Sequence, residues 1–188
     1  MKLYMKAAVI TALVGLILTG LFFVWKGKTE ALTPPRIMKI DQMEREGLPD
    51  FSLEDLSGKN FKLSDFSGQV VIVSFWASWC SPCLEEFPSM VELVQKLNGR
   101  LKLIAISQDS ERDEIVAFLK AFPEAKSEDV IILWDKEHKV AEAYSAEKLP
   151  ESFVADKNHR LVRKIVGSIN WSTQEAVEFM SKLTDSTK

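Results

Sequence analysis

The chain has 188 residues, with 24 lysine and arginine residues against 27 aspartate and glutamate residues, which gives a net charge of −3. This balance offers no electrostatic case for a nucleic-acid partner, and a composition that is 46% hydrophobic argues against disorder. The only two cysteines, Cys80 and Cys83, cannot form a disulfide framework, but two intervening residues make them a local pair.

The first predicted element is a membrane anchor. Residues 7–25 carry no charge over 19 positions, and lysines flank them on both sides. A helix of that length covers nearly all of a hydrocarbon core of ~30 Å, whereas the apolar part of a cleaved signal peptide usually has only about 7 to 15 residues. We therefore predict an uncleaved single-pass anchor in residues 1–25, followed by a linker over residues 26–46 that ends in one or two helical turns. Cleavage near Thr29 to Ala31 is the alternative.

From residue 47 onward, strand and helix patterns alternate. Apolar alternation around Ser57-Gly58 predicts a β-hairpin, and the apolar run at 69–78 predicts a central strand covered on both faces. Apolar residues at three- and four-residue steps then predict a helix that begins at the two cysteines and ends at Asn98-Gly99. Further strands are predicted at 101–107, 130–134, 151–155 and 161–166, and further helices at 109–122, at 137–144 and from a capping box at 172–175 onward. The predicted fold class is α/β, a mixed sheet flanked by helices.

The segment Cys80-Ser81-Pro82-Cys83 has the pattern of a dithiol-disulfide exchange site. Cys80 lies at the predicted first turn of a helix, where unpaired N–H groups and the helix dipole favour a thiolate. Pro82 suits the first turn because no N–H bond is lost there, and Cys83 lies one turn on, able to attack a mixed disulfide at Cys80. A zinc site would need His138 and His159 as its remaining ligands, and haem attachment would need histidine where Leu84 stands.

Several separated motifs resemble the membrane-anchored TlpA/ResA-like thiol-disulfide oxidoreductases of the thioredoxin superfamily. They are the segment FWASWCSPC at 75–83, LPDF at 48–51, LWD at 133–135 and KLPESF at 148–153. The resemblance runs from about Gly47 to Leu183. It implies a thioredoxin-like fold with an N-terminal hairpin over residues 47–188. It also implies that this domain works in the periplasm or on the outer face of a bacterial cytoplasmic membrane.

The resemblance assigns roles to individual residues. Cys80 is implied to be the attacking thiol and Cys83 the resolving one, with Pro150 as a cis-proline facing them. The backbone of Leu149 is implied to pair with the substrate chain, while Trp79, Ser81 and Pro82 form the rest of the substrate-binding set.

One position departs from thioredoxin itself. Ser74 stands where thioredoxin has a buried aspartate, so a different carboxylate is needed as a base. The resemblance supplies Glu86, three residues after Cys83 and on a neighbouring part of the helix surface. The alternative is that Glu85 and Glu86 are both solvated surface charges.

Other conspicuous residues are interpreted as structural. Asp109 is expected to be the solvated start of a helix, and Asn158 to take the left-handed position of a hairpin turn. Packing roles are expected for Phe75, Trp76, Trp134 and Trp171, and exposure for His138 and His159.

The sequence therefore predicts an extracytoplasmic thiol-disulfide oxidoreductase that acts on protein substrates without a cofactor. The resemblance points to reduction, for example of apocytochrome c before haem attachment, with electrons from a transmembrane thiol reductant. One alternative is a copper chaperone on the same fold, although carriers of the Sco type space their cysteines by three residues. A peroxiredoxin-like peroxidase is another, weakened because Ala77 stands where the pattern Pro-x-x-x-Thr-x-x-Cys has threonine. No metal site is predicted.

Overall fold

In the computed structural model, the described residues are 14–22 and 35–186. The chain divides into two compact units, Met1–Met38 and Lys39–Lys188, and residues 14–22 of the first unit are helical. Within the described ranges, no helix is both long enough and apolar enough to cross a membrane. The predicted anchor at 1–25 and the first part of the linker fall largely outside these ranges, and the anchor stays a prediction.

The secondary structure from residue 35 onward alternates strands and helices. The elements are α1 (Pro35–Glu46), β1 (Ser52–Glu54), β2 (Asn60–Lys62), β3 (Val70–Trp76), α2 (Ser81–Leu97), β4 (Leu101–Ser107), α3 (Arg112–Lys120), β5 (Val130–Trp134), α4 (Lys139–Tyr144), β6 (Glu151–Ala155), β7 (Leu161–Val166) and α5 (Gln174–Asp185). The strands β1 and β2 form the predicted hairpin as a separate antiparallel pair, and β5-β4-β3-β6-β7 form one five-stranded sheet.

The central strand β3 is paired on both edges and covered on both faces where the site begins. All seven of its residues are buried, and it pairs in parallel with β4 and antiparallel with β6. Because side chains alternate along a strand, Ile72 and Trp76 face one core while Val73 and Phe75 face the other. The loop that follows Trp76 therefore leaves a strand that is fixed on both edges and both faces.

Two apolar cores cover the sheet. Helices α2, α3 and α5 pack on one face, where Trp76 and Phe118 have ring centroids 4.6 Å apart. Helices α1 and α4 pack on the other face, where Phe75 lies 5.3 Å from Tyr144 and 5.8 Å from Phe153 between ring centroids. Truncating such a buried aromatic side chain typically costs about 3–5 kcal/mol, so each core is essential to the fold.

The region predicted as a linker contributes to the second core. Helix α1 spans three turns rather than one or two, and its residue Met43 is 2% exposed among the residues of that core. Lys39 also donates a hydrogen bond to the Glu142 carbonyl on α4. Periodicity over residues 37–43 was too short to indicate this packing.

Three helix starts differ from the prediction. Helix α3 begins at Arg112 instead of 109, and α4 begins at Lys139 because His138 adopts a left-handed φ of 55°. The predicted capping box at 172–175 is wrong. The residue that caps α5 is Thr173, whose hydroxyl accepts from the Ala176 N–H at 3.3 Å, while the Ser172 hydroxyl donates to Asn170.

The turn between β6 and β7 also differs. The left-handed residue is His159, with φ 58°, and not Asn158. One carboxylate oxygen of Asp156 accepts the N–H groups of Asn158 and Arg160, both at 2.9 Å, which fixes the turn around this position. His159 is half-buried rather than exposed, because its carbonyl accepts from the Leu48 N–H and its Nε2 lies 3.1 Å from the Phe66 carbonyl. His138 is exposed, as predicted.

Candidate active site

The two cysteines lie at the start of α2 and are joined by a disulfide, with their Cα atoms 5.2 Å apart. Cys80 is the residue before the first helical turn, and its carbonyl accepts from the N–H groups of Cys83 and Leu84 at 2.9 and 3.2 Å. Pro82 lies in the first turn, where it removes no helical hydrogen bond. In the reduced protein, the Cys80 sulfur would face the positive end of the helix dipole, which favours a thiolate.

The two cysteines differ slightly in exposure. Cys80 is 6% exposed and Cys83 is 2% exposed. The residues around Cys80 form an open surface, since Trp79 is 65% exposed and both Ser81 and Pro82 are exposed. A large aromatic side chain left in water beside a reactive sulfur offers apolar contact area to a partner.

The segment before β6 lies next to this surface. The Leu149–Pro150 peptide bond is cis, the conformation that the resemblance implies. The register pairs Phe75 with Glu151, which places Pro150 beside Trp76 at the end of β3, where the loop to Cys80 begins. Leu149 packs against the core that contains both cysteines, and its backbone N–H and C=O have no hydrogen-bond partner within residues 35–186.

A buried carboxylate that the sequence interpretation missed fixes the loop before Cys80. Asp109 is 0% exposed, and it accepts hydrogen bonds from the Ser78 N–H at 3.0 Å and from the hydroxyls of Ser78 and Ser107 at 2.7 Å each. The expectation that Asp109 is solvated is therefore wrong. A usable signal was present, because residues that directly follow neighbouring parallel strands meet at one edge of the sheet.

Trp134 supports the same network and does more than pack. Its indole N–H donates to the Asp109 carbonyl at 2.8 Å. The side chain and the main chain of Asp109 are therefore both held, one by the loop before Cys80 and the other by β5.

Glu86 is buried on α2, with 2% of its surface exposed, whereas Glu85 is exposed. Its Oε1 accepts from the Trp171 indole N–H at 2.5 Å and from the Ile169 N–H at 3.3 Å. Burial raises the pKa of the Glu86 carboxyl, and these two hydrogen bonds oppose the rise. The other oxygen, Oε2, has no partner among the described residues. The solvated interpretation is thus wrong for Glu86 and confirmed for Glu85.

Trp171 packs in the core, as expected, but it also donates a hydrogen bond. The side chain is 2% exposed, but its indole N–H binds the Glu86 carboxylate. Ser74, by contrast, carries no charge to the site, since its hydroxyl accepts from the Ser152 hydroxyl at 3.0 Å in the buried sheet. Phe75 and Trp76 are buried core residues, as expected.

Neither histidine lies in a metal-binding cluster. His138 Nδ1 is 2.7 Å from Gln108 Oε1, and His159 contacts the Phe66 carbonyl. Over residues 14–22 and 35–186, no group of three or more histidine, cysteine, aspartate or glutamate side chains is arranged to hold a metal ion. The cysteine pair itself offers the chemistry of a dithiol and its disulfide.

Comparison with known proteins agrees with this chemistry. The AhpC/TSA family matches residues 45–164. A thiol-disulfide oxidoreductase ResA of Bacillus cereus is 36% identical over 138 residues, which are 72% of this chain and 76% of that protein. ResA of Bacillus subtilis is 28% identical over 130 residues, or 69% of this chain and 70% of that protein.

A solved structure extends the similarity to three dimensions. The crystal structure of a proposed thiol:disulfide interchange protein DsbE from Chlorobium tepidum is similar with a TM-score of 0.65 and 30% sequence identity. The match covers 73% of this chain and 94% of that one. The predicted thioredoxin-like fold, a mixed sheet flanked by helices, is thereby confirmed.

Proposed function

The chain belongs to the AhpC/TSA family and, within it, to the ResA-type thiol-disulfide oxidoreductases, and we propose that it reduces protein disulfides outside the cytoplasm. The observation that carries the proposal is the graded exposure of the cysteine pair at the start of α2. Cys80, which is 6% exposed, is next to the exposed Trp79, while Cys83, which is 2% exposed, lies in the first turn of α2. This arrangement fits one sulfur that meets the substrate and a second that resolves the intermediate.

The proposed reaction has two exchange steps. In the reduced protein, the Cys80 thiolate attacks one sulfur of the substrate disulfide, forms a mixed disulfide and releases the first substrate thiolate. Cys83 then loses its proton and attacks the Cys80 sulfur, which restores the Cys80–Cys83 disulfide and releases the second substrate thiolate. Two electrons pass to the substrate, and each released thiolate takes up a proton.

Glu86 is proposed as the group that accepts the Cys83 proton. It lies one helical turn after Cys83, it is buried, and its raised pKa suits proton exchange closer to neutral pH than an exposed glutamate allows. The hydrogen bonds from Trp171 and Ile169 occupy Oε1 and leave Oε2 for this task.

Substrate binding is proposed for the surface around Cys80 and for the segment before Pro150. Trp79, Ser81 and Pro82 supply exposed contact area, and the unpaired backbone of Leu149 supplies one N–H donor and one C=O acceptor for an extended substrate chain.

The cellular setting is proposed from the N-terminal sequence and the relatives. The uncharged run at 7–25 would anchor the chain in the bacterial cytoplasmic membrane, with the domain in the periplasm or on the outer face. A transmembrane thiol reductant would then supply electrons, and apocytochrome c before haem attachment would be a substrate. Neither alternative gains support, because the two histidines have protein partners and Ala77 occupies the threonine position of the peroxidase pattern.

The reduction potential of the Cys80–Cys83 pair tests the proposed direction of electron flow. The full chain would be equilibrated with dithiothreitol or glutathione buffers and its thiols trapped by alkylation. Dithiol proteins range from about −270 mV for thioredoxin to about −120 mV for DsbA, a gap of ~7 kcal/mol for two electrons. We expect a value near the thioredoxin end, and a value near the DsbA end would make the protein a disulfide donor instead.

A further inference from the structure

A buried ion pair joins β6 and β7 directly after the cis-proline. Lys164 Nζ lies 2.6 Å from Glu151 Oε1, and the two side chains are 11% and 0% exposed. The strand register places Lys164 opposite Phe153, and its ammonium lies 4.5 Å from the centroid of that ring. The pair lies on the face of the sheet opposite α2, so it belongs to neither the cysteines nor Glu86.

Both members of the pair also bind the loop that precedes Pro150, residues 145–149, here named the proline loop. Lys164 Nζ donates to the Ser145 carbonyl at 3.1 Å. Glu151 Oε2 accepts from the Glu147 N–H at 2.8 Å and from the Lys148 N–H at 3.4 Å. The ion pair therefore holds the loop at its beginning, in its middle and one residue before Leu149.

These hydrogen bonds do not include the backbone of Leu149, which the proposed function assigns to substrate binding. Pro150 is held from the other side, since its carbonyl accepts from the Gly167 N–H at 2.9 Å. Between these fixed points, the N–H and C=O of Leu149 have no partner among the described residues. The ion pair thus fixes the backbone around Leu149 while leaving its two hydrogen-bonding groups unpaired.

A stabilising role alone does not account for two buried charges at this place. Desolvation offsets most of the attraction within a buried ion pair, and an apolar pair of similar volume often gives equal stability. An apolar pair could not bind the Ser145 carbonyl or the two loop N–H groups, however. The charged pair therefore contributes the hydrogen bonds that fix the conformation of the loop.

We propose that Glu151 and Lys164 are positioning residues that hold the proline loop in the conformation in which Leu149 pairs with the substrate backbone. This inference rests on the proposed function. It deepens that function by specifying the substrate as an extended chain whose backbone pairs with Leu149 near the substrate disulfide. A small disulfide or dithiol does not use this contact.

The test compares two probes on the full chain. The first is an oxidised twelve-residue peptide with a central Cys-x-x-Cys-His segment, and the second is dithiothreitol, which reduces the Cys80–Cys83 disulfide directly. In the double variant E151M/K164M, we expect KM for the peptide to rise about tenfold. We expect kcat and the dithiothreitol rate to stay within twofold of the original protein.

Two further variants separate positioning from folding. E151Q/K164M keeps an acceptor oxygen for the loop N–H groups, and we expect it to recover part of the peptide KM even if E151M/K164M folds poorly. The matched control is K102M/D129L, which removes a half-buried pair with a 2.5 Å contact between Lys102 on β4 and Asp129 just before β5, away from the loop. We expect this control to leave both probes unchanged.

The possible results are distinct. An unchanged peptide KM in both Glu151/Lys164 variants would overturn the positioning role, and so would equal slowing of both probes. If the original protein reacts with dithiothreitol but does not reduce the peptide, the proposed function itself fails, and the positioning role fails with it.

Discussion

Two loops lie at the edge of the sheet where β3 ends and β6 begins, and they are held in different ways. The first loop, residues 77–80, is here named the Cys loop. It is fixed by the buried carboxylate of Asp109, which accepts hydrogen bonds from the Ser78 N–H and from the hydroxyls of Ser78 and Ser107. The proline loop is fixed by a buried ion pair that hydrogen-bonds to its backbone. One loop carries a reacting sulfur, and the other carries the unpaired backbone of Leu149.

This difference separates chemistry from recognition. A substitution of Asp109 alters the surroundings of Cys80, so it should affect exchange with any thiol compound, large or small. A change behind the proline loop should affect only chains long enough to pair with Leu149.

The largest effect is expected for Cys80→Ser. Without Cys80 there is no Cys80–Cys83 disulfide for dithiothreitol to reduce, and reduction of the oxidised peptide should fall to the uncatalysed rate, because Cys83 is 2% exposed and cannot reach a partner. Cys83→Ser should instead accumulate a mixed disulfide between Cys80 and the peptide. Mass spectrometry after acid quenching measures both results, and a mixed disulfide formed at Cys83 in the Cys80→Ser protein would reverse the assigned order.

The next effect is expected for Asp109→Asn. The amide can accept fewer of the three hydrogen bonds from Ser78 and Ser107, so the Cys loop should loosen. We expect the rates with both probes to fall about tenfold, which corresponds to ~1.4 kcal/mol.

The matched control for this change is Asp135→Asn. Asp135 is 2% exposed and follows the neighbouring strand β5, but it accepts from the Ala141 N–H at 2.9 Å and from Gln108, not from the Cys loop. Equal slowing in the two variants would show that loss of any buried carboxylate suffices, and would remove the special role of Asp109.

Glu86→Gln should change pH dependence more than maximal rate. The glutamine side chain still offers Oε1 to Trp171 and Ile169, but it cannot accept a proton. We expect the pH profile of thiol alkylation in the reduced protein to lose one ionisation. Glu85→Gln, on the exposed neighbouring residue, should leave the profile unchanged, and an unaltered profile in Glu86→Gln would refute the proton-accepting role.

The raised pKa of the Glu86 carboxyl also predicts how the stability of the protein depends on pH. Burial raises the Glu86 pKa above the ordinary value of 4.5, so the folded protein holds this proton more tightly than the unfolded chain does. That contribution to the free energy of unfolding is fully present below pH 4.5 and is lost as the pH rises through the folded-state pKa. Urea unfolding should therefore show Glu86→Gln gaining stability relative to the original protein as the pH rises, and a constant difference would contradict the raised pKa.

The smallest effect is expected outside both loops. Thr173→Ala removes the hydroxyl that accepts the Ala176 N–H at the start of α5, which should lower the free energy of unfolding by about 1 kcal/mol. Exchange with both probes should stay at the original rates at 25 °C. If either rate changed, general stability would contribute to the effects assigned to the loops.

Several parts of the site depend only on residues that are neighbours in the chain, and these could be predicted from the sequence. The buried run before Cys80, the two-residue spacing of the cysteines, Pro82 in the first helical turn and the stop at Asn98 are all local patterns, and the structure confirms each one. The family resemblance added the cis bond before Pro150, which residue patterns alone do not indicate.

The polar groups that support these parts come from distant segments of the chain and could not be predicted from the sequence. Asp109 meets Ser78 across 31 residues, Trp171 meets Glu86 across 85, and the proline loop depends on Lys164 from another strand. Hydrophobic periodicity reports which face of an element is buried, but it carries no information about which donor a buried carboxylate meets. That choice is made when distant strands pair. Here it placed the buried carboxylates of Asp109 and Glu151 against the two loops at this edge of the sheet.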